Sequence, residues 1–235
     1  LVIGQGEILF YDGFENGLGN WSLNGDWGLT EDAFSGSLAL SDSPDSDYDP
    51  NQETIAALAL DIELDYISSP YIEFYAKWDI ESNWDFVRLQ AYIIDSGWVS
   101  LQGNYTEPGS GQPAQPYGEH GYDGIQNEWL KEKIYLDQLN VSRLSAFRFI
   151  QTSDQYTEGD GFTFDDFTIS GFPVGIMGDF NYDMSVDIFD LLGIVDILIF
   201  GSDPTLSQLY FCDLDGSGLI DIMYLIALSN IILGI

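Results

Sequence analysis

From Ile8 to Ser170, apolar and polar residues alternate along the chain with a period of two. In YIEFYAKWDI, Ile72, Phe74, Ala76 and Trp78 fall on one side and Glu73, Lys77 and Asp79 on the other; in DFVRLQAYII, Val87, Leu89, Ala91 and Ile93 oppose Arg88 and Gln90. Such alternation predicts antiparallel strands with one face in a core and the other in water. TIAALALDIEL, WVSLQ, WLKEKIYL, SAFRFIQT and FTFDDFTIS read the same way, separated by turn clusters such as SDSPDSDYDPNQ. About eight strands with no helix between them predict a mainly β fold, a two-sheet sandwich of the jelly-roll kind. The stretch from Gly103 to Gly124, rich in Gly, Pro and Tyr, exceeds ordinary connection lengths. It is either functional or pinned, by a bound ion or by aromatic packing.

Past Pro173 the apolar spacing turns helical. DIFDLLGIVDILIF and DIMYLIALSNIILGI each follow an Asp-rich loop, and the two loops align: DFNYDMSVDIFD from Asp179 to Asp190 on DLDGSGLIDIMY from Asp213 to Tyr224, their starts 34 residues apart. From Leu191 to Phe200 the first helical segment is apolar on nearly every side, broken only by Gly193 and Asp196, whereas a helix in a two-helix unit buries one stripe. The surplus calls for a covering body: another protein, the chain's own sandwich, or further copies. The closing segment from Ile222 to Ile235 has fourteen residues, short of the roughly 20 that span a bilayer, and predicts a buried helix rather than a membrane span. At the other end, LVIGQGEILF lacks the basic flank and apolar length of a signal peptide. Residues 1–9 are expected as an exposed strand able to extend the sheet of another copy.

Charge narrows the function classes. Six Lys and Arg stand against 39 Asp and Glu, a net charge of −33, so polyanionic nucleic acid and anionic membrane surfaces are repelled. Disorder is excluded by 6 Trp, 14 Tyr and 15 Phe, enough aromatic surface to build a core. All six cations precede residue 149, while the stretch from Val174 to Ile235 holds nine Asp and no Lys, Arg or Glu. Something other than side-chain cations must neutralise it, and short, rigid Asp oxygens suit a hard divalent ion. Cys212 is the sole cysteine, so no internal disulfide exists.

The aligned loops match the twelve-residue calcium pattern of oxygens at positions 1, 3, 5, 7, 9 and 12. The first supplies Asp179, Asn181, Asp183, the Ser185 carbonyl, Asp187 and Asp190; the second supplies Asp213, Asp215, Ser217, the Leu219 carbonyl and Asp221, but places Tyr224 at the closing position. The second site should therefore bind Ca2+ more weakly. Met184 stands where a Gly normally permits the turn, which predicts backbone strain. This tandem resembles a type I dockerin, whose calcium-loop-plus-helix units end in Asp at position 12. The resemblance implies docking to a cohesin-like protein partner through positions 10 and 11, here Ile188, Phe189, Ile222 and Met223, which are unusually apolar.

FYDGFENGLGNWSL, the middle loop and DGFTFDDFTIS together resemble the MAM-like sandwich that accompanies secreted immune inhibitor A peptidases and zinc carboxypeptidases. In such sandwiches carboxylates of the first and last strands clasp a structural calcium, which by this resemblance points to Glu15 and Asp166, with Asp12 or Asp165 in reserve. His120 is the only histidine, too few for a zinc peptidase site, and its place in the GEHGYDG loop suits a surface or hydrogen-bonding role better than that of the base of a triad. Trp21, Trp27, Trp84, Trp98 and Trp129 are candidates for stacking on glycans, although most are better explained by packing. Three sequons, at Asn20, Asn104 and Asn140, permit glycosylation outside the cell. The combined expectation is a jelly-roll sandwich over residues 1–172 and a small α-helical dockerin-like domain over residues 173–235. Its function would be non-catalytic, secreted or cell-surface, calcium-loaded assembly through a cohesin-like partner or self-association. A carbohydrate-binding module, or the accessory fragment of a secreted metallopeptidase, is the alternative.

Overall fold

The computed structural model describes residues 7–201, 204, 206–213 and 219–235. It is mainly β, a jelly-roll-like sandwich followed by short C-terminal helices. The strands are β1 (Glu7–Asp12), β2 (Trp21–Asn24), β3 (Gly28–Thr30), β4 (Ala39–Ser41), β5 (Glu53–Glu63), β6 (Ile67–Ile80), β7 (Phe86–Ile93), β8 (Gly97–Ser100), β9 (Glu107–Pro108), β10 (His120–Gly121), β11 (Gly124–Tyr135), β12 (Arg143–Thr152) and β13 (Gly161–Pro173). One sheet runs β11-β6-β13-β4-β3, with β1 also pairing β13, and the other runs β2-β5-β12-β7-β8. Every strand expected from alternation is present. The alternation missed β2 to β4, β9 and β10, which are too short to establish a period, while β1 overlaps the strand expected at residues 1–9.

The two sheets meet through aromatic rings. Phe74 on β6 and Phe164 and Phe167 on β13 face Phe149 on β12 and Trp21 on β2; Phe149 lies 4.2 Å from Phe164 and 5.4 Å from Phe74, centroid to centroid, and Trp21 lies 5.5 Å from both Phe164 and Phe167. In strict alternation Phe162 and Phe164 would share a face that excludes Phe167 and Ile169, yet all four are fully buried. The Asp165-Asp166 pair resolves the conflict, because Asp166 takes φ +53° and shifts the side-chain phase by one residue.

The long middle loop is fastened by packing and by a carboxylate. Tyr122 is buried 5.0 Å from both Trp78 and Phe162, and its hydroxyl donates to Glu132, whose carboxylate also accepts from the backbone N–H groups of Asn104 and Tyr105. Gly109 is required where it sits, since a Cβ there would lie 2.2 Å from the Pro116 carbonyl oxygen.

A separate compact unit comprises Tyr66–Ser68 and Phe172–Ile235, against Glu7–Asp65 and Ser69–Gly171 for the sandwich. Its helices are α1 (Ile188–Phe200), α2 (Leu206–Cys212) and α3 (Ile222–Leu233). The position-9 acids of the two loops cap the helices: Asp187 accepts from Phe189 N–H and Asp221 from Met223 N–H, while Asp190 accepts from Asp187 N–H to close a capping box. Gly201 and Gly234, at φ +67° and +69°, end α1 and α3. The core is Phe180, Ile194, Phe211, Cys212, Tyr224 and Leu228. Gly193 admits Phe180, whose ring would meet a Cβ at 2.2 Å. Tyr224 is therefore a core residue, 3% exposed, rather than a substitute at a metal position. Among the described residues no helix is long and apolar enough to cross a membrane. Of the expected N-terminal strand, residues 1–6 lie outside the described residues, and Glu7 and Ile8 pair with β13 of the same chain.

Truncating the central ring tests this account of the sandwich. Phe149→Ala is expected to destabilise it by ~3–5 kcal/mol, the usual loss for a fully buried Phe, read as a shift of the urea midpoint of tryptophan fluorescence. A loss below about 1 kcal/mol would mean that the rings do not jointly hold the sheets.

Candidate functional site

Where β5, β7 and β12 end, the sandwich opens a cleft of about 990 Å³ lined by Asn51, Gln52, Glu53, Glu81, Trp84, residues 112–114 and residues 152–156. Trp84 is 42% and Tyr156 65% exposed, so two aromatic surfaces stand beside amides and carboxylates. The walls are held by short polar contacts. Gln115 donates to the Asp85 carbonyl and to Asp123 at 2.8 Å each, and Thr152 donates to the Ala114 carbonyl at 2.6 Å. Asp85 accepts from Tyr48 O–H at 2.8 Å and from Asp154 N–H at 2.6 Å, and Asp154 in turn accepts from Tyr156 N–H at 2.8 Å. Asp85 thus positions Tyr156 through Asp154.

Glu81, Asp85 and Asp154 place carboxylate oxygens within 4.8 Å of one another, the one such acidic trio among the described residues. Burial, with the charges of Asp154 and Glu81 adding to it, pushes the Asp85 carboxyl up to about 6. Asp85 is 1% exposed and both its oxygens are hydrogen-bonded, so it is not free to act on a substrate in the cleft. Asp42 is shifted further, to about 7 by complete burial, with Oδ1 accepting from Phe162 N–H and Oδ2 unpartnered.

The outward face of the β2-β5-β12-β7-β8 sheet carries a second polar constellation. Register sets Arg148 opposite Gln90, Ile150 opposite Arg88, Ser100 opposite Gln90 and Trp98 opposite Tyr92. Arg88 pairs with Glu119 of the middle loop at 2.6 Å, Glu119 accepts from Ser100, and Gln90 joins Ser100 to Arg148. The Arg148 guanidinium lies 4.3 Å from the centre of the Trp98 ring.

The first Asp-rich loop wraps its own carboxylates. Asp179 accepts from Asp183 and Met184 N–H groups, Asp190 from Phe180 and Asn181, Asp183 from Ser185, and Asn181 Oδ1 from Asp183. Asp179 and Asp190 are 1% and 0% exposed, and burial raises the Asp179 pKa, with the charge of Asp190 contributing. Met184 takes φ +65°, the strain its sequence position predicts. Of the second loop, Asp213, Leu219 and Asp221 are described, whereas Asp215 and Ser217 lie outside the described residues. Ile188, Phe189, Ile222 and Met223 are each more than half exposed.

Glu15 and Asp166 converge on one loop, each engaged by protein donors: Glu15 accepts from Ser37 and Leu38 N–H, Asp166 from Tyr11 O–H and Ser35 O–H. Asp165 accepts from Phe34 and Ser35 N–H, and Asp12 from Phe14 N–H, Asn20 and the Trp21 indole. Trp21 and Trp27 are core residues, while Trp129 packs on Phe34 and beneath Lys77. Sequence reasoning singled out Trp84 and Trp98 but missed Tyr156, Arg88, Arg148 and Asp85. The position of Arg88 on the polar side of its strand was visible; its neighbourhood with Arg148 needed the β7–β12 pairing.

No protein-family model matches the chain, and no curated protein matches it. Solved structures similar to it include the K3 cleaved adhesin domain of Lys-gingipain from Porphyromonas gingivalis, at 14% identity and a TM-score of 0.45 over 70% of this chain and 100% of that one. The CBM22-1 xylan-binding domain from Paenibacillus barcinonensis Xyn10C gives 16% and 0.43 over 72% and 97%. The family 11 carbohydrate-binding module from Clostridium thermocellum, in complex with a β-1,3-1,4-mixed-linked tetrasaccharide, gives 14% and 0.43 over 73% and 99%. The likeness is one of architecture, and the named ligands belong to those proteins.

The buried carboxyls give the sandwich a definite pH response. An unfolded Asp titrates near 3.9, so a carboxyl raised in the folded state makes folding take up a proton, and stability falls as pH rises from about 4 to the folded value. That value is about 6 for Asp85 and about 7 for Asp42. Asp42→Asn cannot ionise, and its urea midpoint is expected to gain on wild type progressively from pH 4 to pH 7 and to level off above, with the ~ pH limits set by the two titrations. A difference constant across that range would show that Asp42 does not titrate.

Proposed function

We propose that the chain is a secreted or cell-surface, non-catalytic glycan-binding protein whose sandwich holds a saccharide in the cleft at the ends of β5, β7 and β12. The observation that carries this reading is the pairing of exposed Trp84 and Tyr156 with Gln52, Gln112, Glu53 and Asp154 around one open cavity. Sugar rings present apolar C–H faces and a rim of hydroxyls, so aromatic platforms beside fixed amides and carboxylates suit them. Net charge of −33 leaves a largely neutral polymer as the compatible class. Trp84→Ala and Tyr156→Ala are each expected to weaken binding about tenfold or more, a loss of ~1.4 kcal/mol, in calorimetric titrations with neutral oligosaccharides. Unchanged affinity in both variants would move the ligand elsewhere, and the absence of binding to any oligosaccharide would refute the reading.

A second reading concerns the C-terminal unit and is favoured by Asp179 and Asp190, buried within a segment that has no cation. Asp179, Asn181, Asp183, the Ser185 carbonyl, Asp187 and Asp190 form an all-oxygen donor set that fits a hard ion, and we assign this loop to Ca2+. The ion would supply the missing positive charge, and Ile188, Phe189, Ile222 and Met223 would serve a cohesin-like partner or other copies of the chain. Chelation is expected to lower the melting temperature of the helical signal in the intact chain, with Asp190→Asn weakening calcium binding about tenfold or more. Helicity and melting that ignore both chelator and added calcium would sink this assignment.

A further inference from the structure

Five of the six cations are neutralised within the fold: Lys77 by Asp32, Arg88 by Glu119, Lys131 and Lys133 by Glu73, and Arg143 by Asp61. Arg148 forms no ion pair among the described residues, although the chain offers 39 carboxylates. Its place is held in three ways. Nε donates to Gln90 at 2.8 Å, the guanidinium is stacked over Trp98, and Gln90, itself 4% exposed, is tied through Ser100 to Glu119. Those contacts use the Nε side and one planar face of the group. Burial, with Arg88 adding to it, lowers the Arg148 pKa, and the charges of Glu53 and Glu119 offset only part of that effect. Arg88 adds a second feature, since it is 7% exposed and its Nε has no partner.

We infer that Arg148, backed by Arg88 and flanked by Trp98 and Tyr92, is a subsite for the carboxylate of a uronic acid within an otherwise neutral glycan. The guanidinium edge matches a carboxylate's two oxygens, and Trp98 and Tyr92, 5.4 Å apart and the latter 38% exposed, offer ring surface beside it. Arg148 and the cleft residue Thr152 lie on the same face of β12, about 13 Å apart along the strand, with the buried Ile150 between them, so a chain of sugars resting in the cleft reaches the arginine only by passing over Ile150. An anion here meets the Arg148 guanidinium directly and the charge of the buried, Glu119-paired Arg88 only through space, while the net charge of −33 opposes ligands charged at every unit. Isolated carboxylates on a neutral backbone satisfy both conditions.

The inference rests on the glycan-binding reading, and the experiment separates the two. The intact protein is titrated with xylo- and galacto-oligosaccharides that carry a single glucuronate or galacturonate, and with their carboxyl-reduced counterparts. Wild type is expected to bind the acidic member of a pair about tenfold tighter, and Arg148→Gln to lose that preference while binding the neutral member as before. Arg148→Lys keeps the charge without the fork and should retain part of the preference. Equal binding of acidic and neutral forms by wild type overturns the subsite and leaves the cleft reading standing, and so does a preference that survives Arg148→Gln. Binding of neither form overturns both. The wild-type comparison does not depend on a variant's folding, and unchanged binding of the neutral member by Arg148→Gln reports that this variant is folded.

Discussion

The sandwich depends on bringing Phe162, Phe164, Phe167 and Ile169 of one strand to the same side, which a regular strand cannot do. An extra residue at Asp165-Asp166 makes it possible, and the left-handed backbone of Asp166 is the local strain that the buried rings offset. Phe149 and Phe74 then close on those rings from the two sheets. The carboxylates of the bulge are not idle, since they hold Phe34 N–H and the backbone and hydroxyl of Ser35, tying the loop before β4 to the last strand. Sheet packing and loop anchoring are consequences of one irregularity.

Acidity governs the rest. With six cations against 39 acids, most carboxylates cannot find a side-chain partner, and the fold satisfies many of the deeper ones with backbone N–H groups. Asp12, Asp42, Asp85, Glu132, Asp165, Asp179 and Asp190 all accept from main-chain amides. Each such contact orders a turn or loop, so negative charge is used as the fastening for connections that lack regular structure. Where burial outruns the supply of donors, as at Oδ2 of Asp42, the carboxyl is pushed up to about 7.

The same scarcity makes the outward face of the β2-β5-β12-β7-β8 sheet distinctive, because two of the three arginines stand together there. The cleft is equally a product of connections. Trp84 comes from the turn between β6 and β7, Tyr156 from the segment after β12, and Gln112 from the middle loop, with Asp85 and Gln115 bracing them. In the C-terminal unit the acids at positions 9 and 12 serve as helix caps and loop anchors, so one sequence signature carries both a structural role and a donor set suited to a hard ion.

Alternation alone determined the long strands and, away from the Asp165-Asp166 irregularity, which of their residues face the core, because a regular strand's side chains repeat every two residues whatever surrounds them. Helical spacing and the Asp and Gly caps determined α1 and α3 for the same local reason. The tandem Asp loops and the exposed apolar starts of those helices were also legible, being properties of consecutive residues. The tertiary structure decided what depends on partners distant along the chain. Arg88 and Arg148 become neighbours only when β7 pairs with β12, and Tyr224 is revealed as core only when Phe180, Phe211 and Leu228 gather around it. Trp84 and Tyr156 are 72 positions apart in sequence, and nothing local joins them; they share a cleft because Asp85 reaches Asp154 across it. Local periodicity is written residue by residue, whereas a binding surface is made by strand order and register, which no single segment encodes.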